Sequence, residues 1–298
     1  EYTIYNKSKS YVWVDTNHNG TYEANEKFQP NAAISVLTIG DNGKAETPDK
    51  YLPYGTYEIR ETKAPEGYLI NDNFRNSVTS KTIQIRSEGQ VVDLTWSKSN
   101  AENTFYDAIK RGQIKIKKNN ADVHSDSEAV KAQGDSSLKG AEYTIYNKSK
   151  SYVWVDTNEN GRFDSGERYE PNQAVKTIVT NEEGYAQTPE KYLPYGSYMI
   201  KETKAPEGYL LDEIRGAKTS LNFTISEEGQ VITKYWSASN TEDTMYDAAP
   251  RGKVKIQKNN ADVHSDDKAS TASGNASFKG AEYTIYNKSK SYVWVDTN

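Results

Sequence analysis

The sequence predicts an all-β protein that consists of tandem antiparallel β-sandwich domains. The segment EYTIYNKSKSYVWVDTN occurs at 1–17, 142–158 and 282–298, so its copies are spaced by 141 and then 140 residues. A period of this length is too long for a solenoid and indicates that each unit is a domain with its own core. Short strand-like runs alternate with turns rich in Gly, Asn, Asp and Pro, without a competing helical pattern. Such spacing is typical of a sandwich.

The repeat divides the chain into three units. If GQIKIKK is the first strand of a unit, residues 112–251 form one complete repeat. Residues 1–111 form a partial repeat that lacks its first strand, and residues 252–298 form the opening third of another. We call these ranges, in chain order, the first, second and third repeats. Because the chain opens on a strand-like segment and not on a signal peptide, we expect its start not to be a natural amino terminus.

The composition argues against several classes of function. The 298 residues carry a formal charge of -5 with both signs well mixed, which gives no indication of a nucleic-acid partner. Mean hydropathy is -0.91, and no apolar run approaches the ~20 residues of a membrane span. The sequence contains no cysteine, so disulfides and thiolate metal sites are excluded. No phosphate-binding Gly-rich loop or Ser-His-Asp grouping is present, and we predict that the protein is not an enzyme.

The segment DTNENGRFDSGE at 156–167 matches a calcium-binding loop. A loop of the EF-hand type needs oxygen ligands at positions 1, 3, 5, 9 and 12, a backbone carbonyl at position 7 and glycine at position 6. Every position is filled here and, with Glu for Asp at position 9, in the earlier copy DTNHNGTYEANE. The predicted ligands are Asp156, Asn158, Asn160, the Arg162 carbonyl, Asp164 and Glu167, and in the earlier copy Asp15, Asn17, Asn19, the Thr21 carbonyl, Glu23 and Glu26.

The flanks of the loop limit what a bound calcium ion (Ca2+) would do. Strand-like sequences stand on both sides, where an EF-hand would have amphipathic helices. A loop between two strands lacks the opening motion of a calcium sensor, so we predict a structural role. A polar turn that binds no metal is the alternative interpretation.

An alternation test places one ionisable side chain on the apolar face of each of three strands. In GQIKIKKNN, Lys118 shares a face with Ile114 and Ile116. Glu202 in GSYMIKET and Asp247 in DTMYDAA occupy the same kind of position. The equivalent residues of the partial repeats are Glu61 and Asp107 in the first and Lys258 in the third. The inward assignments could be wrong, or the three side chains could form an ordinary buried ion triad.

A covalent reaction is the sharper interpretation of the same three residues. Burial lowers the pKa of a lysine and raises the pKa of a carboxyl group. A neutral Lys118 amine could then attack the protonated carboxyl group of Asp247 while Glu202 transfers protons, leaving an isopeptide bond and one water. This bond would form once per molecule. By analogy with a disulfide that closes a loop of the same size, it would destabilise the unfolded state by about 5 kcal/mol.

These motifs resemble a known family. GxIxIxK at the start, YGxYxIxETKAPEGYxL in the middle and a short closing strand look like the Cna B-type repeats of Gram-positive surface adhesins and pilins. The resemblance covers nearly all of 112–251 and implies an Ig-like or prealbumin-like sandwich. In that family a first-strand lysine joins an Asn or Asp of the last strand, assisted by a glutamate; by motif these are Lys118, Asp247 and Glu202. The segment VWVDTNENGRFDSGE also resembles the calcium-binding B repeats of staphylococcal Sdr-type adhesins.

Two features depart from the family pattern. Most relatives close with Asn where this chain has Asp247, and Asp243, matched by Asn103 in the first repeat, is an alternative bonding partner. The stretch at 121–140 is longer than the usual first turn of the family and predicts a flexible surface loop.

The resemblance implies a structural segment of an extracellular fibre or stalk on the surface or wall of a Gram-positive-type cell. Its expected partners are neighbouring repeats of the same chain and, through a bond between Lys258 of one chain and Asp107 of the next, other copies of the fibre. If the first and last strands are parallel and adjacent, as the resemblance implies, force at the termini would bypass the rest of each domain. A repeat that directly binds a host or neighbouring-cell ligand is the alternative.

Overall fold

The computed structural model describes residues 1–70, 77–158, 160–162 and 164–297. Within these ranges the regular structure consists of nineteen short β-strands and single turns of 3-10 helix, so the all-β prediction is confirmed. No helix among the described residues is long and apolar enough to cross a membrane.

The first repeat contributes one four-stranded antiparallel sheet and two short strand pairs. Its strands are β1 (Tyr2–Asn6), β2 (Val12–Trp13), β3 (Lys27–Phe28), β4 (Ala33–Leu37), β5 (Gly55–Glu61), β6 (Tyr68–Leu69), β7 (Ser80–Ile85) and β8 (Ala108–Ile109). The sheet has the order β4-β1-β5-β7, while β2 pairs with β3 and β6 pairs with β8.

The second repeat contains the same sheet and a second one that faces it. Its strands are β9 (Arg111–Asn120), β10 (Glu142–Asn147), β11 (Val153–Trp154), β12 (Arg168–Tyr169), β13 (Ala174–Val179), β14 (Tyr185–Gln187), β15 (Leu193–Pro194), β16 (Gly196–Lys204), β17 (Ser220–Ile225), β18 (Val231–Lys234) and β19 (Met245–Asp247). One sheet has the order β13-β10-β16-β17, and the other is assembled around β9.

Burial alternates along the strands as a sandwich requires. In β17, Leu221, Phe223 and Ile225 are buried, while the residues between them are exposed. The apolar faces of the two large sheets share one core. The largest apolar and aromatic side chains that are fully buried in it are Tyr143, Tyr198, Ile114, Ile116, Ile145, Leu193, Ile200 and Ile225.

Strand β9 organises the second sheet because four other strands pair with it. Strands β14 and β15 run antiparallel to it, whereas β18 and β19 run parallel to it. The first repeat lacks this strand, and its described residues between β7 and β8 contain no strand equivalent to β18 or β19. The second sheet therefore forms only where its central strand is present.

Residues 121–140, which we call the insert, differ from the predicted flexible surface loop. Two 3-10 turns order the segment, and Ala129 and Leu138 are buried. Ala129 also belongs to a small second core that contains Tyr246 and Ala248. The apolar residues of the insert have neither helical nor strand spacing, so the sequence pattern did not reveal their burial.

A single residue separates the last strand of the first repeat, β8, from the central strand of the second, β9. Strand β8 ends at Ile109 and β9 begins at Arg111. The intervening Lys110 donates its backbone N–H to the Gly67 carbonyl of the first repeat at 2.8 Å. Its own carbonyl accepts the N–H of Tyr195, in the second repeat, at 2.8 Å. The connection is therefore held from both sides and is not a flexible linker.

The copies of EYTIYN provide a matched test of the core. Ile145 in β10 has no exposed surface, whereas Ile285, at the same position of the third repeat, is 84% exposed. Ile145→Ala should lower the free energy of unfolding by about 3 kcal/mol because it leaves a cavity. Ile285→Ala should change it by less than about 0.5 kcal/mol. Urea unfolding followed by tryptophan fluorescence measures both values, and equal effects of the two substitutions would contradict the described burial.

Candidate functional site

Lys118 lies on the buried face of β9, as the alternation test predicts. Its side chain has no exposed surface, and Ile114 and Ile116 on the same face are also fully buried. Lys115 and Lys117, which alternate with them, are only partly buried. The Lys117 ammonium lies over the Tyr185 ring, 4.4 Å from its centroid. One lysine of this strand therefore enters the core, while its neighbours remain near the surface.

Glu202 reaches Lys118 from the facing sheet. It lies on β16 opposite Tyr143 of β10, and its side chain is fully buried. Its Oε2 atom is 2.7 Å from the Lys118 Nζ atom. Burial raises the pKa of Glu202 from 4.5 to about 8; the Lys118 charge opposes this shift and the Asp247 charge adds to it. The glutamate can therefore hold a proton at neutral pH.

Asp247 completes the cluster from the last strand of the second repeat. Strand β19 runs parallel to β9, with Met245 opposite Lys118 and Asp247 opposite Asn120. Asp247 is thus two residues further along β19, on the same face as Met245. Its Oδ1 atom contacts the Lys118 ammonium directly, and its side chain has no exposed surface. The structure brings together all three residues predicted from the alternation pattern.

The environment of the cluster is apolar and aromatic. Met245 is fully buried, and the Tyr143 ring centroid is 5.8 Å from the Lys118 Nζ atom. Burial, together with the charges of Glu202 and Asp247, raises the pKa of Tyr143 well above its usual value. Tyr143 was not among the site residues predicted from the sequence. Its place in β10, two residues before the buried Ile145, was the signal that could have identified it.

Asp243, the alternative bonding partner, lies outside the cluster. Its side chain is 54% exposed and forms an ion pair with Lys234. Asn103, its counterpart in the first repeat, is also exposed and ends a short 3-10 turn.

The partial repeats contain separated parts of the same cluster. In the first repeat Glu61 is buried and Asp107 is partly buried. Both charges, together with burial as the main cause, raise the pKa of Tyr2, so the two carboxyl groups lie near this ring. Lys258 of the third repeat is exposed. The structure therefore assembles a lysine with two carboxyl groups in the second repeat.

The predicted calcium ligands at 156–167 surround one tight turn. Asp156 accepts the backbone N–H groups of Asn160 at 3.0 Å and Gly161 at 2.7 Å. Asp164 accepts the side-chain amides of Asn158 at 2.8 Å and Asn160 at 2.9 Å. Asn160 accepts the N–H of Arg162 at 2.8 Å. Gly161 has a φ of 75°, which favours glycine at this position of the turn.

The earlier copy forms the same turn. Asp15 accepts the N–H groups of Asn19 at 3.1 Å and Gly20 at 2.8 Å. Glu23 accepts the side-chain amides of Asn17 at 3.4 Å and Asn19 at 3.1 Å. The Thr21 N–H donates to the Asn19 side chain at 2.8 Å. Two different sequences therefore adopt one arrangement of side-chain oxygens.

The last predicted ligand of each loop has a different environment. Glu167 is buried and accepts the N–H groups of Thr157 at 2.6 Å, Asn158 at 3.2 Å and Asp164 at 3.2 Å. Burial alone would raise the pKa of Glu167, but these hydrogen bonds and the Thr157 hydroxyl outweigh it and lower the pKa. Glu26 is held equivalently, and the Thr16 hydroxyl is the largest cause of its lowered pKa.

These contacts define how far the loops fit calcium. The carboxylate and amide oxygens at the first, third, fifth and ninth positions are the ligands that calcium prefers. Glu167 and Glu26 differ because they are buried and each accepts three backbone N–H groups. Across the described residues, no three acidic or histidine side chains converge on one point. The residues at positions 1, 3, 5 and 9 thus offer oxygens of the type that calcium prefers, and the glutamate at position 12 stabilises the turn through its hydrogen bonds.

Comparison with known proteins places the fold in a family. Residues 1–100 and 112–240 match the family described as the SpaA prealbumin-like fold domain. Serine-aspartate repeat-containing protein D of Staphylococcus aureus is 26% identical over 227 residues, which cover 68% of this chain and 14% of that protein. Serine-aspartate repeat-containing protein F of Staphylococcus epidermidis is 27% identical over 243 residues, which cover 75% of this chain and 12% of that protein. The chain thus spans a small part of these relatives.

Similar solved structures include the Bacillus anthracis TIE protein, with a TM-score of 0.42, 22% identity, and coverage of 83% of this chain and 30% of that chain. The shaft pilin spaA from Lactobacillus rhamnosus GG has a TM-score of 0.29, 15% identity, and coverage of 85% of both chains. The family match extends over most of the first and second repeats. The chain therefore belongs to the SpaA prealbumin-like fold domain family.

Proposed function

We propose that this chain is a load-bearing segment of an extracellular stalk on a bacterial cell, in which each complete repeat is closed by an isopeptide bond between its first and last strands. The segment acts at the cell surface as a spacer and is not an enzyme. The observation that carries the proposal is the position of the Lys118 ammonium, in contact with both Glu202 and Asp247, with all three side chains fully buried. The names of the relatives, which include a shaft pilin, support a structural role.

The proposed bond forms by condensation. The Lys118 Nζ atom attacks the Asp247 carboxyl carbon, a C–N bond forms, and one carboxyl oxygen leaves as water. Before the attack the Lys118 ammonium passes one proton to the Asp247 carboxylate; protonated Glu202 then donates its proton to the leaving oxygen and takes one from the attacking nitrogen. Its raised pKa supports this role because a group that titrates near pH 8 can both accept and donate a proton at neutral pH. Two charges buried in the core become one neutral amide.

The location of the bond supports the stalk role. Strand β9 starts the second repeat and β19 ends it, and the two strands are adjacent and parallel. A bond between Lys118 and Asp247 would therefore carry force from one end of the repeat to the other without loading the remaining strands. The array would resist extension even where individual hydrogen bonds between strands fail.

Calcium is the second stabilising element of the proposal. Asp156, Asn158, Asn160, the Arg162 carbonyl and Asp164 would hold the ion in the second repeat, and Asp15, Asn17, Asn19, Thr21 and Glu23 in the first. The ion would supply only charge neutralisation and cross-linking of the turn, without any chemical step. Glu167 and Glu26 would position the turn through their backbone hydrogen bonds.

The mass of the intact chain tests the isopeptide bond. The second repeat holds the complete triad, so the chain should weigh ~18 Da less than its sequence predicts, which corresponds to one water. Glu202→Ala, Lys118→Ala and Asp247→Ala should each restore the full mass. Lys258→Ala is the matched control, because Lys258 is exposed and its variant should still lose the water. A wild-type chain at full mass would contradict the bond, and water loss by Glu202→Ala would contradict the role of the glutamate.

The raised pKa of Glu202 predicts how the reaction depends on pH. We expect the rate of water loss to be constant below about pH 8 and to fall about tenfold per pH unit above it, because the proton of Glu202 is then lost. Chain recovered denatured from inclusion bodies and refolded at different pH values provides unreacted material for mass spectrometry. Before the bond forms, the folded state should lose stability as pH rises from 4.5 towards 8, since it retains a proton that the unfolded state releases. A rate that rises through pH 9 would contradict this assignment.

Calcium removal tests the loops. Chelation with EDTA should lower the unfolding temperature of the full chain by about 5 °C if the ion is present at about 100 times its dissociation constant. Asp156→Ala combined with Asp15→Ala should abolish both this effect and the heat of calcium binding in calorimetric titration. Asp41→Ala, in another exposed polar turn, should leave both unchanged. A chain that shows no binding heat would refute the calcium proposal without affecting the isopeptide bond.

A further inference from the structure

The insert binds a hairpin that belongs to the next repeat. We use the word hairpin for the KSKSYVW turn, which leads from β10 to β11 in the second repeat although these two strands pair with other partners. Residues 288–294, its third copy, lie against residues 128–135 of the second repeat. The Gly134 N–H donates to the Tyr292 carbonyl at 2.6 Å, and the Ser291 N–H donates to the Gly134 carbonyl at 3.1 Å. Gly134 thus bonds through both its N–H and its carbonyl to two successive residues of the hairpin. The hairpin is therefore bound through its main chain.

Side chains of both partners extend the contact. The Tyr292 hydroxyl donates to the carbonyls of Glu128 at 3.1 Å and Lys131 at 3.4 Å. The Lys290 N–H donates to the Asp135 carboxylate at 2.9 Å. Burial, followed by the nearby Glu128 charge, raises the pKa of Tyr292 to about 12. The phenol is therefore partly buried against the insert.

A buried carboxylate organises the contact between the insert and the hairpin, which we call the dock. Asp122, whose side chain is 3% exposed, accepts the Gln133 amide at 2.7 Å and pairs with Arg251 at 3.1 Å. Gln133 and Arg251 also bond the hairpin. Gln133 accepts the Trp294 N–H at 3.3 Å, and Arg251 donates to the Trp294 carbonyl at 3.0 Å. The peptide groups on both sides of Trp294 are thereby held from one carboxylate of the preceding repeat.

The second copy of the hairpin has one of these contacts in common with the third. In the second repeat Arg111 donates to the Trp154 carbonyl at 3.1 Å, as Arg251 does to the Trp294 carbonyl at 3.0 Å. There, Tyr195 packs against Gly67, so that a Cβ added to the glycine would lie 2.9 Å from its ring. At the equivalent Gly208, the same place is filled by Ser136 of the insert. The two copies of this glycine thus contact different elements, Tyr195 of the following repeat at Gly67 and Ser136 of the insert at Gly208.

The first copy of the hairpin presents the same surface without a cover. Aromatic side chains of the hairpin and its surroundings form an open groove there, lined by Tyr11, Val12, Trp13, Tyr22, Pro53 and Tyr54. Tyr11 is about as exposed as Tyr152 of the second repeat, while Tyr292 of the seated copy is partly buried. Of these three tyrosines, Tyr292, which contacts the insert, is the least exposed.

From these contacts we infer that the insert at 121–140 is a docking element for the hairpin of the next repeat in the array, and that it fixes the orientation of consecutive repeats. The partner is thus a neighbouring repeat that carries the KSKSYVW hairpin. The seated hairpin retains these contacts although the described residues of the third repeat contain no β-strand. The inference deepens the proposed stalk function, but it does not depend on the isopeptide bond, because Lys118 lies in the core and takes no part in the dock.

Limited trypsin digestion of the full chain tests the inference, because cleavage after Lys290 requires the hairpin to leave the dock. The amount of cleavage tracks the undocked population when undocking is fast. Tyr292→Phe removes the hydroxyl that donates to two carbonyls, and it should accelerate cleavage after Lys290 about fivefold. Asp135→Ala should act in the same direction without altering the cleaved segment. Intact mass identifies the cleaved copy, although the three hairpins share one sequence.

Two matched variants control for effects outside the dock. Tyr152→Phe makes the same change in the hairpin of the second repeat and should leave cleavage after Lys150 within twofold of the wild type. Asn275→Ala is the counterpart of Asp135→Ala in the third repeat and should leave cleavage after Lys290 unchanged. The inference is overturned if Lys290 of the wild type is cut as fast as the exposed Lys258, or if neither Tyr292→Phe nor Asp135→Ala accelerates its cleavage. A normal mass deficit in such an experiment would leave the isopeptide proposal standing.

Discussion

The pairing of β9 with four other strands is the constraint on which the second repeat depends. This strand gives the second sheet its centre, and its buried face brings Lys118 to the two carboxyl groups. Identical sequence behaves differently where its own strand neighbours are missing: EYTIYN forms β10 between β13 and β16 at 142–147, but its copy at 282–287 is exposed and is not a strand. Strand formation here is thus a property of packing against neighbours more than of local preference.

The same strand creates an electrostatic problem that the cluster resolves. A lysine without partners in an apolar core would be strongly destabilising, and two ionised carboxylates beside one ammonium would leave a net negative charge. The raised pKa of Glu202 keeps one carboxyl group protonated, so that the three side chains together approach neutrality. An amide would remove the remaining pair of charges. The fold therefore holds the reactants in a state from which condensation reduces the electrostatic penalty of burial.

Sequence periodicity predicted the features that depend on one strand at a time. Alternation assigned Lys118, Glu202 and Asp247 to buried faces because a side chain's face follows directly from its position in the strand. It did not identify Tyr143, whose role comes from the strand beside Glu202. It also missed the burial of the insert, since the contacts of Ala129 and Tyr292 come from distant segments. The backbone partners of Glu167 were hidden for a similar reason: a ligand pattern records which oxygens are available but not the N–H groups that compete for them.

The one-residue connection at Lys110 has a consequence for the dimensions of the array. The N–H of this residue is hydrogen-bonded to the first repeat and its carbonyl to the second, so the junction adds almost no variable length. In an array of such repeats, the distance spanned would then grow in whole-repeat steps, and the gain or loss of one copy would change the reach of the molecule by a fixed increment. Copy number, more than linker composition, would set how far from its point of attachment such a protein extends.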